Sequence, residues 1–147
     1  MNKHFKHFLA LLLVAVSICL MIAPTMAATP PDPDSPKASA YISSVYAYGT
    51  GGSRSASVYF DITGTGKMTS LGATNIVLYK SGSGYVTQKQ YVYYPNMMGY
   101  NKSYHSDTES FSGLSAGTYY AIVYYKASNS YGYDTTSYTT DYFYVTN

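Results

Sequence analysis

Beyond residue 38 the chain is written in short runs that alternate apolar and polar residues, broken by clusters of Gly, Ser and Asn. Side chains of an extended strand point to opposite faces in turn, so period-two alternation predicts half-buried strands, and the clusters between them predict turns. Seven strands are predicted, over 38–48, 55–63, 73–80, 85–94, 106–112, 118–127 and 137–145, with turns at 49–53, 64–66, 81–84, 115–117 and 129–132. No window in this stretch carries a 3.6-residue period. Seven short strands at this spacing predict an all-β fold, a seven-stranded antiparallel β-sandwich.

Alternation also assigns faces. In the second predicted strand Ala56, Val58, Phe60 and Ile62 share one side, and Ser55, Ser57, Tyr59, Asp61 and Thr63 the other. In the third, Ile76 and Leu78 oppose Asn75, Val77 and Tyr79. In the sixth, Tyr119, Ala121, Val123, Tyr125 and Ala127 oppose a set that contains Lys126. Lysine belongs in water, so the set without it turns inward. Phe143 and Val145 turn inward in the last strand, leaving Tyr142 and Tyr144 outside.

The amino-terminal segment has a different texture. Lys3 and Lys6 precede the apolar run Phe8 to Ile22, and small residues follow at Ala23 to Ala28, the order of charge, apolar stretch and small residues that marks a secretory signal peptide. The run is short for a membrane span, which needs about 20 apolar residues. The expected organisation is a signal peptide over 1–27, a Pro/Asp-rich spacer over 28–37 and a β-domain over 38–147. Cleavage after Ala27 would remove Cys19, the one cysteine, and leave no stable membrane anchor. Lipidation is not expected, because Ile18 rather than a small residue precedes that cysteine.

The formal charge of +2 resides in Lys3 and Lys6. The rest of the chain carries Arg54 and six lysines against six aspartates and Glu109, a balance of zero with no basic run. Nucleic acid and anionic membrane are therefore not expected partners.

Catalytic and metal-binding raw material is scarce. One histidine, His105, lies outside the leader, among polar neighbours from Asn101 to Asp107, and reads as a surface loop or strand-start residue. No Gly-x-Ser-x-Gly elbow is present. Transition metals require several His or Cys ligands, and no run of oxygen ligands has calcium-loop spacing, so no metal or cofactor is implied. Asp61, Asp107, Glu109, Asp134 and Asp141 read as polar-face or loop carboxylates with no apolar setting to raise a pKa.

All twenty tyrosines lie in the β-domain, and there is no tryptophan. If the third, fourth, sixth and seventh predicted strands share a sheet, its outer side gathers Tyr79, Tyr91, Tyr93, Tyr120, Tyr124, Tyr142 and Tyr144. Tyrosine favours strands for structural reasons, and a rigid ring with a hydroxyl also suits protein contacts and sugar stacking. Met97 and Met98, in a loop bounded by Asn96 and Gly99, read as an adaptable contact surface or as a plug for one end of the fold.

Leu114-Ser115-Ala116-Gly117-Thr118-Tyr119-Tyr120 resembles the corner before the penultimate strand of fibronectin type III domains, where a tyrosine hydroxyl ties back the turn. The family's spacing would make Tyr120 the corner residue, whereas alternation favours Tyr119. This resemblance implies a fibronectin type III or immunoglobulin-like sandwich. Thr65 to Ala73, Ile76 to Tyr79, Asn96 to Gly99, His105 and Gly117-Thr118-Tyr119 look like a set of small exported proteins of Gram-positive bacteria. That set carries no established activity, so no catalytic residue transfers. The expected function is a secreted, non-catalytic binding or surface-interaction module that meets a protein or carbohydrate at or outside the cell surface. A carbohydrate-binding module and a secreted antimicrobial or toxin-like protein are the alternatives.

Overall fold

The computed structural model describes residues 39–147. The expected signal peptide (1–27) and spacer (28–37) lie outside the described residues. Seven strands form an antiparallel, hydrogen-bonded network: β1 (Ile42–Gly52), β2 (Ser55–Lys80), β3 (Gly84–Gln90), β4 (Met98–Ser112), β5 (Gly117–Asn129), β6 (Gly132–Thr139) and β7 (Phe143–Val145). One short 3-10 turn, Pro95–Met97, precedes β4.

Strand β2 organises the network. Its first part, Ser55 to Gly64, pairs with β1 on one side and β4 on the other, and its last part pairs with β3 and β5. The second and third predicted strands are thus one strand. The expected turn at 64–66 is instead an irregularity in the β2–β4 register between Thr63 and Met68. There Thr65 is tied to the chain before β1, its N–H donating to the Tyr41 carbonyl and its hydroxyl to the Ala40 carbonyl. Gly64 and Met68 are buried, so the chain bends while keeping its neighbours instead of leaving the sheet.

The expected turn at 49–53 also shifts, to Ser53 and Arg54, where Arg54 takes a left-handed backbone (φ 49°). The glycines before it serve close approach. A Cβ at Gly49 would stand 2.0 Å from the Phe143 ring, so β1 accepts β7 only because that position has no side chain. The ends then join through Thr146, whose N–H donates to the Gly52 carbonyl and whose carbonyl accepts from Arg54 N–H.

The last predicted strand divides at 140–142. Thr140 is buried and its hydroxyl accepts the Ala121 N–H at 3.0 Å, so a side chain replaces a rung of the ladder. The fourth predicted strand ends early, at Gln90. Tyr93 and Tyr94 then donate backbone N–H groups to the Gln90 carbonyl, closing a turn before Pro95.

The period-two assignment holds for the core. Ala56, Val58, Phe60, Ile62, Ile76, Leu78, Ala121, Val123, Tyr125 and Val145 are buried, as are Tyr119 and Phe143. Val77, expected outside, is also buried, between Gln88 of β3 and Ile122 of β5 on the neighbouring strands. Phe60 meets Tyr125 edge to face at 6.2 Å, joining the first part of β2 to β5 across the interior. The buried hydroxyls are paired: Tyr125 donates to the Tyr46 carbonyl and Tyr119 to the Ser115 carbonyl, each at 2.7 Å. Of the two expected positions, the corner therefore belongs to Tyr119, four residues after the carbonyl it holds.

Candidate functional site

Four tyrosines stand in a row across one outer face. Tyr79 of β2 is paired in register with Tyr85 of β3 on one side and Tyr120 of β5 on the other, so backbone hydrogen bonding alone brings these side chains together. The Tyr79 and Tyr120 rings lie 5.1 Å apart at 9°, Tyr85 meets Tyr79 edge-on at 6.3 Å, and Tyr142 meets Tyr120 edge-on at 5.5 Å. Parallel rings this close are offset-stacked rather than side by side. The inner pair is half-buried, while Tyr85 is 60% and Tyr142 68% exposed. The row is a contiguous ridge of ring edges and hydroxyls whose central ring faces are occupied by each other.

The other candidate residues are distributed around this ridge. Tyr144 is exposed on β7, opposite Thr118. Tyr124 is 40% exposed and lies four residues along β5 from Tyr120, opposite Asn75. Asn75 donates its side-chain amide to Gln88 of β3 at 3.1 Å, so an amide pair lies across β2 from Tyr124. Tyr91 and Tyr93, assigned by alternation to a strand face, fall beyond the end of β3 in the turn. Met97 is fully buried in the core and Met98 is buried beside it, which excludes Met97 as a contact surface. Gly72 admits them: a Cβ there would stand 2.2 Å from the Met97 carbonyl oxygen.

A second tyrosine array escaped the sequence analysis. Tyr48 stacks on Tyr59 at 5.0 Å, Tyr46 meets Tyr48 at 6.1 Å and Tyr138 at 5.6 Å, and the Tyr59 and Tyr104 hydroxyls are 3.2 Å apart. The alternation that placed Tyr59 outside applies equally to Tyr46 and Tyr48. Their pairing with β2 requires the β1 register, which no local signal supplies. The hydrogen bond to Tyr104, followed by burial, pushes the Tyr59 phenol up to about 12.

Strand β4 corrects the reading of the charged residues. His105, Asp107, Glu109 and Phe111 alternate opposite Ile62, Phe60, Val58 and Ala56, so they share the inward side. His105 is half-buried against the Phe60 ring, and its Nε2 must donate to the Asn96 carbonyl at 2.7 Å because a carbonyl only accepts. Asp107 accepts its neighbour's N–H, from Thr108. Glu109, expected on a polar face, is buried and receives a 2.6 Å hydrogen bond from Lys89 of β3. Lys89 Nζ also sits 4.1 Å from the Tyr94 ring centroid and 5.6 Å from that of Phe111. Inward charge on a strand with one free edge discourages pairing with another chain, and here the charge is neutralised between two strands that are not hydrogen-bonded to each other.

With side-chain exposures of 16% for Lys89 and 9% for Glu109, neither ion is well solvated. Glu109→Ala is expected to cost about 3 kcal/mol by stranding the lysine, whereas Lys89→Met with Glu109→Leu restores most of it. Urea denaturation of the single and double variants measures both, and equal losses in the two would remove this account.

Among the described residues no group of three or more His, Cys, Asp or Glu side chains is placed to hold a metal ion. Fold and surface together define an all-β protein with tyrosine arrays on its outer surfaces. No protein-family profile matches the chain, and no curated protein matches it in sequence.

Proposed function

We propose that this chain is a secreted, non-catalytic binding module, a fibronectin type III or immunoglobulin-like β-sandwich that docks a protein partner on its tyrosine ridge. The sandwich reading is supported by the division of β2 between two sets of neighbours and by the Tyr119 corner. Export is supported by the leader pattern of residues 1–27.

The observation that carries the binding role is the row Tyr85–Tyr79–Tyr120–Tyr142. Tyrosine provides large contact area with little conformational entropy to lose, and cross-strand pairing has already ordered these rings. A protein partner is favoured over sugar at the ridge because stacking a pyranose requires a free ring face, and Tyr79 and Tyr120 cover one another.

The test is affinity capture from culture medium and cell-surface extracts with the domain as bait, beside the triple variant Tyr79→Ser/Tyr120→Ser/Tyr142→Ser. Exposed cross-strand pairs contribute roughly 0.2–1 kcal/mol each, so the variant stays folded. The expected result is a specific partner protein lost in the variant and retained by Tyr48→Ser, on the other array. Capture unaffected by the triple change would defeat the proposal.

A further inference from the structure

Past Tyr124, away from the ridge, the surface opens into two shallow hollows that meet at Thr74. One, of about 310 Å³, is lined by Ser70, Thr74, Tyr91, Met98, Tyr100 and Lys126. The other, of about 460 Å³, runs from Thr74 and Tyr124 to Thr135, Thr136 and Ser137. Both fall in the size range of small-ligand clefts, about 300–1,000 Å³. We infer that this double hollow is a binding site for an acidic saccharide, one whose sugar rings carry a carboxylate.

Three features of the lining converge on that class. First, three of its four aromatic rings are free where those of the ridge are not: among the described residues Tyr91, Tyr100 and Tyr124 make no ring-to-ring contact, and each is at least 39% exposed, while the fourth, Tyr125, is buried against Phe60. An unstacked phenol offers a face to the C–H side of a sugar and a hydroxyl to its rim. Second, the remaining surface is hydroxyl-rich. Thr135, Thr136 and Ser137 make no side-chain hydrogen bond among the described residues, and a hydroxyl both donates and accepts, as vicinal sugar hydroxyls require.

Third, the charge is one-sided. Lys126 is the only charged residue of either lining, and among the described residues it forms no ion pair. Its Nζ lies 4.6 Å from the Tyr133 ring centroid, a contact that holds the ammonium over a ring face without neutralising it. One unneutralised cation and no carboxylate in either lining select a ligand with a negative group. A single lysine is too little for a nucleic-acid backbone. An acidic peptide would seek apolar pockets for its side chains, and Met98 is the only aliphatic side chain here.

The site is separable from the ridge. Tyr124 lies four positions along β5 from Tyr120, about 13 Å at the rise of a strand. Affinity electrophoresis of the domain through gels containing polygalacturonate, with dextran as the neutral comparison, tests the assignment. Polygalacturonate is expected to retard the wild type and the ridge triple variant alike, and dextran neither. Lys126→Gln and Tyr100→Ser/Tyr124→Ser are each expected to weaken retardation about tenfold, the size of one charge-assisted hydrogen bond or one stacking contact. Circular dichroism and thermal melts establish that these exposed substitutions leave the domain folded. No retardation of the wild type, retardation that survives Lys126→Gln, or equal retardation by dextran would each overturn the saccharide site. Retardation lost in the ridge variant would overturn it too, by placing the contact on the ridge instead.

Discussion

Phe60→Ala is expected to lower the stability of the domain by about 3–5 kcal/mol, enough to unfold much of the population in a protein of ordinary marginal stability. Phe60 has no solvent exposure, packs edge-on to Tyr125 of β5 at 6.2 Å and to His105 of β4 at 6.0 Å, and lies on the shared strand β2. Removing the ring therefore empties the place where three strands' side chains meet. Neither neighbour can collapse into the gap, because Tyr125 is held by its hydrogen bond to the Tyr46 carbonyl and His105 by the Asn96 carbonyl. Cavities whose walls cannot relax are the costly ones. Phe60→Leu fills most of the space and is expected to cost well under half as much. Chemical denaturation with the midpoint and slope both recorded decides the matter. A loss of less than about 1 kcal/mol for the alanine variant would mean that the interior is far looser than its burial implies.

The second large effect is alkaline. Burial, reinforced by the Asp61 carboxylate, drives the Tyr125 phenol well above its ordinary value of 10.0, and the hydrogen bond to Tyr104 pushes Tyr59 to about 12. Below pH 10 both phenols are protonated in the folded and unfolded chains, and the stabilisation they represent is complete. Above pH 10 the unfolded chain releases these protons while the folded chain keeps them. Unfolding is then favoured progressively, through about pH 12 for Tyr59 and further still for Tyr125. The melting temperature is expected to fall steeply once the pH passes 10. Tyr125→Phe is expected to lose about 1 kcal/mol at neutral pH, from the missing hydrogen bond, but to show a shallower alkaline decline. Thermal melts at stepped alkaline pH compare the two proteins. Parallel declines would mean that Tyr125 ionises as readily inside the fold as outside it.

How far local pattern reaches into this protein is clearest in β5. Its alternation placed Tyr119, Ala121, Val123, Tyr125 and Ala127 inside, and all five are buried. Burial parity is a property of the extended backbone, so it can be read wherever strand residues are contiguous. The same reasoning put Tyr79, Tyr120, Tyr124, Tyr142 and Tyr144 on outer faces. The glycines behaved differently. Gly49 and Gly64 read as turn residues, yet Gly49 makes room for Phe143 and Gly64 continues a bend inside β2. A glycine at a turn and one at a close approach look the same in one dimension, because the reason for the second lies on a distant strand.

Charge on β4 was misplaced for a related reason. Glu109 has polar neighbours in the chain, but its environment comes from Lys89, Val58 and Phe111, two of them on other strands. Strand type, inward parity and the supply of surface tyrosine were thus already written in the order of the residues, since each depends on neighbours two positions away. Which rings stack, which carboxylate is buried and which tyrosine secures the corner depended on register and bending. Those are settled by contacts between residues as far apart as Tyr46 and Tyr125, which meet only when the whole sheet has closed around its core.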